Sequence, residues 1–71
     1  MRLGETVRVT ATDENLKKTE MRMLVSQKYL DARRASITGI VISRVHDGDL
    51  YYIRQSNGNV GAYLARELEL V

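Results

Sequence analysis

Residues 37–64 read ITGIVISRVHDGDLYYIRQSNGNVGAYL, and this stretch decides the fold. β-Branched and aromatic residues gather in short runs, Ile37 to Val45, Leu50 to Gln55 and Val60 to Leu64. Between the runs sit Asp47-Gly48 and Asn57-Gly58, dipeptides suited to the positive φ angles that tight hairpins demand. The pattern predicts two successive hairpins forming a β-meander, with Glu67 to Val71 as a short closing strand. Taken as a two-residue turn, Asn57-Gly58 sets Gln55 against Val60, Arg54 against Gly61, Ile53 against Ala62 and Tyr52 against Tyr63. Tyr51, Ile53, Ala62 and Leu64 then share the core face, while Tyr52, Tyr63 and Arg54 share the opposite one. A three-residue loop over Asp47 to Asp49 turns Val41 and Val45 inward and Arg44 outward beside Tyr52.

Outward from this stretch, Thr6 to Thr10 alternates Val7 and Val9 against Arg8 and Thr10. It reads as a strand entered after Gly4 and able to pair with the closing strand. Asp13 to Arg34 contains neither glycine nor proline and is rich in Leu, Lys, Glu, Met, Gln and Arg, which predicts helix. Thr12 or Asp13 caps its start, Asp13 and Glu14 suit the positive N-terminal end, and Arg33 and Arg34 suit the C-terminal end. Leu16, Glu20, Met23, Leu24, Gln27 and Leu30 share one face, an interrupted stripe that places a break near Val25 or Ser26.

A chain of 71 residues has room for one core, so residues 1–71 read as a single domain without a deep catalytic cleft. It has no cysteine, which excludes disulfides, thiolate metal sites and cysteine nucleophiles and makes a cytoplasmic setting the expectation. No apolar run is long enough for a bilayer, and the start Met-Arg-Leu-Gly-Glu becomes charged too early for a signal peptide. Eleven basic against nine acidic residues leave a net charge of +2, a weak argument for nucleic acid. The positive excess lies in the first half, where eight basic residues meet five acidic ones.

Gly4-x-x-Val7-x-Val9, Gly39-x-Val41, Tyr52-Ile53-Arg54, Asn57-Gly58 and the ending Tyr63-Leu64-Ala65-Arg66-Glu67-Leu68-Glu69-Leu70-Val71 together resemble the SH3-like small barrels. The resemblance covers both ends of the chain. It implies a mainly β fold, a five-stranded antiparallel small barrel with a helical turn over Leu64 to Leu68 and the helical segment 13–34 inserted in the first long loop. The chain lacks the tryptophan and the acidic, tyrosine-rich first loop of the proline-rich-peptide binders. Asn59-Val60-Gly61-Ala62-Tyr63 is also loosely similar to the active-site strand of the type II dihydrofolate reductases. That family's Val-Gln-Ile-Tyr aligns with Val60-Gly61-Ala62-Tyr63, so the glutamine and isoleucine that meet cofactor and substrate are absent. Motifs this short bear on fold more than on function.

Two functional readings follow, both non-enzymatic and needing neither cofactor nor metal. In the first, the domain is a small adaptor or accessory protein working through protein contacts, self-association as a homodimer included, with Met21, Met23, Leu24 and Val25 as its apolar contact patch. In the second, Tyr52, Tyr63, Arg54 and Arg44 stack on single-stranded nucleic acid while Arg33 and Arg34 anchor phosphates. The second requires Tyr52, Arg54 and the Arg33-Arg34 pair on one continuous face; the first predicts exposed apolar surface around Met21 to Val25. Lys17, Lys18, Arg22, Lys28, Arg33 and Arg34 supply phosphate contacts if they gather on one side, but Glu14, Glu20 and Asp31 are interspersed among them, more often the mixture of a solvated helix face. His46, Asp47 and Asp49 offer too few oxygen ligands for a hard cation and suit a hairpin tip.

Overall fold

The computed structural model describes residues 1–71, with the side chain of His46 outside the description. The elements run β1 Thr6–Val9, α1 Asp13–Glu20, α2 Gln27–Asp31, β2 Thr38–Val45, β3 Leu50–Gln55, β4 Val60–Leu64 and β5 Leu68–Leu70. A 3-10 turn, Ala65–Glu67, joins β4 to β5. The strands form one antiparallel sheet in the order β4-β3-β2-β1-β5, open between its two edge strands. The fold is therefore mainly β, with the helical segment between β1 and β2.

One face of the sheet gathers Val7 and Val9 of β1, Val41 of β2, Tyr51 and Ile53 of β3, Tyr63 of β4 and Leu68 of β5 into a single buried cluster with Leu16 of α1. Residues from both edge strands meet there, so the sheet is strongly bent around its own inner face. A bulge at Ile42 serves this curvature: Val41 faces Ile53, yet Ser43 already faces Tyr52.

The outer face of the β3–β4 hairpin is apolar as well. Leu50 and Ala62 pack there with Met23 and Leu30 from the inserted segment, bordered by Val25, Tyr29, Val45, Tyr52 and Leu64. The hairpin is thus sandwiched, and that explains why the insertion is not one continuous helix. The Thr12 side chain caps α1 through the Asn15 N–H (3.2 Å), but the helix ends at Glu20. The N–H groups of Arg22 and Met23 bond back to Thr19 and Glu20, tightening the exit. The chain then turns so that Met23 and Leu30 reach Leu50 and Ala62, and α2 begins only after Ser26. Good helix formers yield here to tertiary packing.

The turn after β3 corrects the expected register. Gln55 donates its N–H to the Asn59 carbonyl (2.8 Å), and only Gly58 is left-handed (φ 90°), so the loop is Ser56 to Gly58, one residue longer than a two-residue turn. Tyr63 consequently faces Tyr51, and Ala62 faces Tyr52. A one-residue change transfers every β4 side chain to the other face. Tyr63 becomes core and Ala62 moves to the outer layer. At the earlier turn, Asp47 (φ 57°) and Gly48 (φ 86°) both adopt the left-handed conformation their dipeptide suggested.

Candidate functional site

The structure divides the expected tyrosine–arginine surface. Tyr52 and Arg54 do share the outer face of β3, with Arg54 exposed between Ile40 and Val60. Tyr52 is half-buried, its ring meeting that of Tyr29 edge-on at 5.0 Å between centroids. Arg44 is exposed but stands opposite Tyr51 rather than Tyr52. Arg34 is exposed and turns back onto the carbonyls of Asp31 and Arg33. Tyr63 is fully buried, and the Arg33 side chain is 1% exposed. The continuous face required for nucleic-acid stacking and phosphate anchoring does not form.

Arg33 and Tyr63 instead belong to a buried polar network. Arg33 Nη2 bonds Glu67 Oε2 at 2.6 Å and Thr19 Oγ1 at 2.9 Å. Thr19 in turn donates its hydroxyl to the same carboxylate oxygen (2.7 Å), and Glu67 Oε1 accepts the Leu64 N–H (2.8 Å). Arg33 Nη1 contacts the Met23 sulfur, and the guanidinium lies 5.5 Å from the Tyr63 ring centroid. The Tyr63 hydroxyl donates to Gln55 Oε1 (2.8 Å) and accepts the Arg34 N–H (2.9 Å), while Gln55 Nε2 donates to the Ala32 carbonyl (2.9 Å). Within this network Arg33 Nε is the one buried polar side-chain atom without a partner. Burying two charges is costly unless such hydrogen bonds complete the pair. Their effect is to fasten the inserted segment to β3, β4 and the Ala65–Glu67 turn.

Burial pushes the Tyr63 phenol above its ordinary value of 10.0, against the opposing pull of the Arg34 N–H and the Arg33 and Arg34 charges. The folded state therefore holds the Tyr63 proton more tightly than the unfolded chain does. Its contribution to stability is complete below the unfolded value and is lost as the pH rises toward the folded one. Urea titrations at stepped alkaline pH will show stability falling above pH 10.0. Tyr63→Phe will flatten that fall and cost about 1–3 kcal/mol at neutral pH, because the Arg34 N–H and Gln55 lose their partner.

The apolar run Met21 to Val25 separates into two roles. Met23 is buried and Val25 half-buried against the outer cluster, whereas Met21 and Leu24 are 92% and 93% exposed. Both stand between α1 and α2, on a segment anchored by Met23 and Leu30 on one side and by Thr19 and Arg33 on the other.

Against family models, curated proteins and solved structures, the chain finds no match. The geometry alone therefore carries the functional reading. In β4, Gly61, Ala62 and Tyr63 are all buried, so the strand likened to a reductase active site presents little open surface. Of the suggested turn cluster, Asp47 and Asp49 are exposed and the His46 side chain lies outside the described residues. Among the described residues no group of three His, Asp or Glu side chains is placed to hold a metal, and no helix is long and apolar enough to cross a membrane.

Proposed function

We propose that this domain is a non-enzymatic binding module of the SH3-like small-barrel kind that engages protein through the tip of its inserted segment. The sheet order, the long insertion between the first two strands and the 3-10 turn before β5 support the barrel reading. The observation that carries the function is the near-complete exposure of Met21 and Leu24 on an otherwise anchored segment. Large apolar side chains held in water favour association, and holding them in place beforehand lowers the ordering cost of binding. The cysteine-free chain fits a cytoplasmic adaptor.

The test compares the natural chain with the double variant Met21→Ser/Leu24→Ser. Neither side chain is buried, so urea unfolding will move by no more than about 0.5 kcal/mol. Peptides selected on the natural chain will bind the variant at least about tenfold more weakly, a loss of roughly 1.4 kcal/mol. Sedimentation of both proteins reveals whether a second copy is the occupant. Salt-dependent binding of single-stranded or duplex oligonucleotides, unaffected by the double substitution, would replace this reading with the nucleic-acid one.

A further inference from the structure

We infer that the segment this tip receives is an acidic peptide carrying a large apolar anchor; the inference rests on the protein-contact reading above and names its partner. Two clefts meet at Arg22. One, of about 450 Å3, lies between α1 and the Ala65–Glu67 turn and presents Lys18, Arg22 and Arg66, together with the polar side chains of Thr10, Asn15 and Thr19. Its one lining carboxylate, Glu67, is already bonded to Arg33 and Thr19 and is buried. The other, of about 190 Å3, is bounded by Arg22, Met23, Leu24, Leu50 and Leu64, with Asp49 at its edge.

Three cations thus line a concavity whose only acid is neutralised from within, and the adjoining notch is lined mainly by apolar side chains, with Asp49 at its rim. At the cleft's edge Lys18 meets Glu14 at 3.3 Å, but both are well exposed, a type of pair that contributes at most about 1 kcal/mol and yields readily to a competing carboxylate. A ligand matched to this surface places carboxylates in the first cleft and a leucine, methionine or phenylalanine side chain against Leu24 and Leu50. Nucleic acid fits less well because no tyrosine lines either cleft. Tyr51 and Tyr63 are buried, and Tyr29 and Tyr52 pack on each other. The cations therefore have no stacking platform beside them.

The experiment selects a randomised peptide display library on the folded 71-residue protein and measures the recovered peptides by fluorescence anisotropy at two salt concentrations. The expected consensus joins at least a pair of Asp or Glu residues to one large apolar residue, with affinity falling as salt rises. Arg22→Glu and Arg66→Glu will each weaken binding about three- to fivefold and together more than about tenfold, at unchanged thermal midpoint. Lys17→Glu changes the same charge away from both clefts and will leave binding unaltered. A consensus without acidic residues, lost on Leu24→Ser but not on Arg22→Glu, overturns this inference while the protein-contact reading stands. An empty selection from a monomeric protein overturns both. Tighter binding of a labelled single-stranded oligonucleotide than of any peptide, abolished by the double charge reversal, assigns the cations to phosphate instead and likewise overturns it.

Discussion

Glu67→Ala will destabilise the domain by about 3–5 kcal/mol, because it strands the buried Arg33 guanidinium without its counter-charge. The same change removes the nearest of the Thr19 hydroxyl's acceptors and the carboxylate that accepts the Leu64 N–H. A chain of 71 residues has a total stability of only roughly 4–10 kcal/mol, so the variant will lose a large share of it, and at the low end of that range will be partly unfolded at ambient temperature. Urea denaturation followed by circular dichroism reads this directly. The pair Arg33→Met/Glu67→Leu separates charge from packing: replacing both ions with apolar side chains of similar size will recover most of the loss. Recovery failing in the double variant would mean that the hydrogen bonds to Thr19 and Leu64, rather than the unpaired charge, dominate.

The second large effect is expected at Gly39, opposite Gln55 where β2 meets β3. A Cβ there would lie 2.5 Å from the Arg54 carbonyl oxygen, 2.6 Å from Ile53 Cγ2 and 2.9 Å from Gln55 Cα. Two of those three atoms are backbone and cannot rotate aside, so the central strand pair must separate. Gly39→Ala will cost about 3 kcal/mol, at the upper end of overpacking losses, and Gly39→Val more. Gly58→Ala is the contrast, since nothing lies within 4 Å of its added methyl and the penalty comes from its φ of 90° alone. That penalty will be about 1 kcal/mol. Chemical denaturation of the three variants checks the order.

The strands were legible because alternation and glycine turns mark them locally: Leu50–Gln55 and Val60–Leu64 match the runs read from the residues. The register between them was not. Asn57-Gly58 suits both a two-residue turn and a longer loop in which glycine alone is left-handed, and that choice decides whether Ala62 or Tyr63 enters the core. Composition over Asp13 to Arg34 correctly indicated helix formers, yet the need to cover Leu50 and Ala62 divided the segment. In the sequence Arg33 reads, with Arg34, as an accessible helix-end cation suited to phosphate. Its burial follows from Glu67, 34 residues away, and no local signal marks a partner so distant. Met21 and Leu24 lie in one apolar run with Met23 and Val25, but the sequence does not state which of the four remain outside.

The two inserted helices span eight and five residues, and isolated helices below about 12–15 residues are marginal in water. Excised as a peptide, or grafted between unrelated strands, the loop would therefore lose its shape, since Glu67, Gln55 and Leu50 belong to the scaffold rather than to the graft. The tip of the insertion is not portable. On the proposed reading, a partner that docks there would also be reading whether the rest of the polypeptide has finished folding.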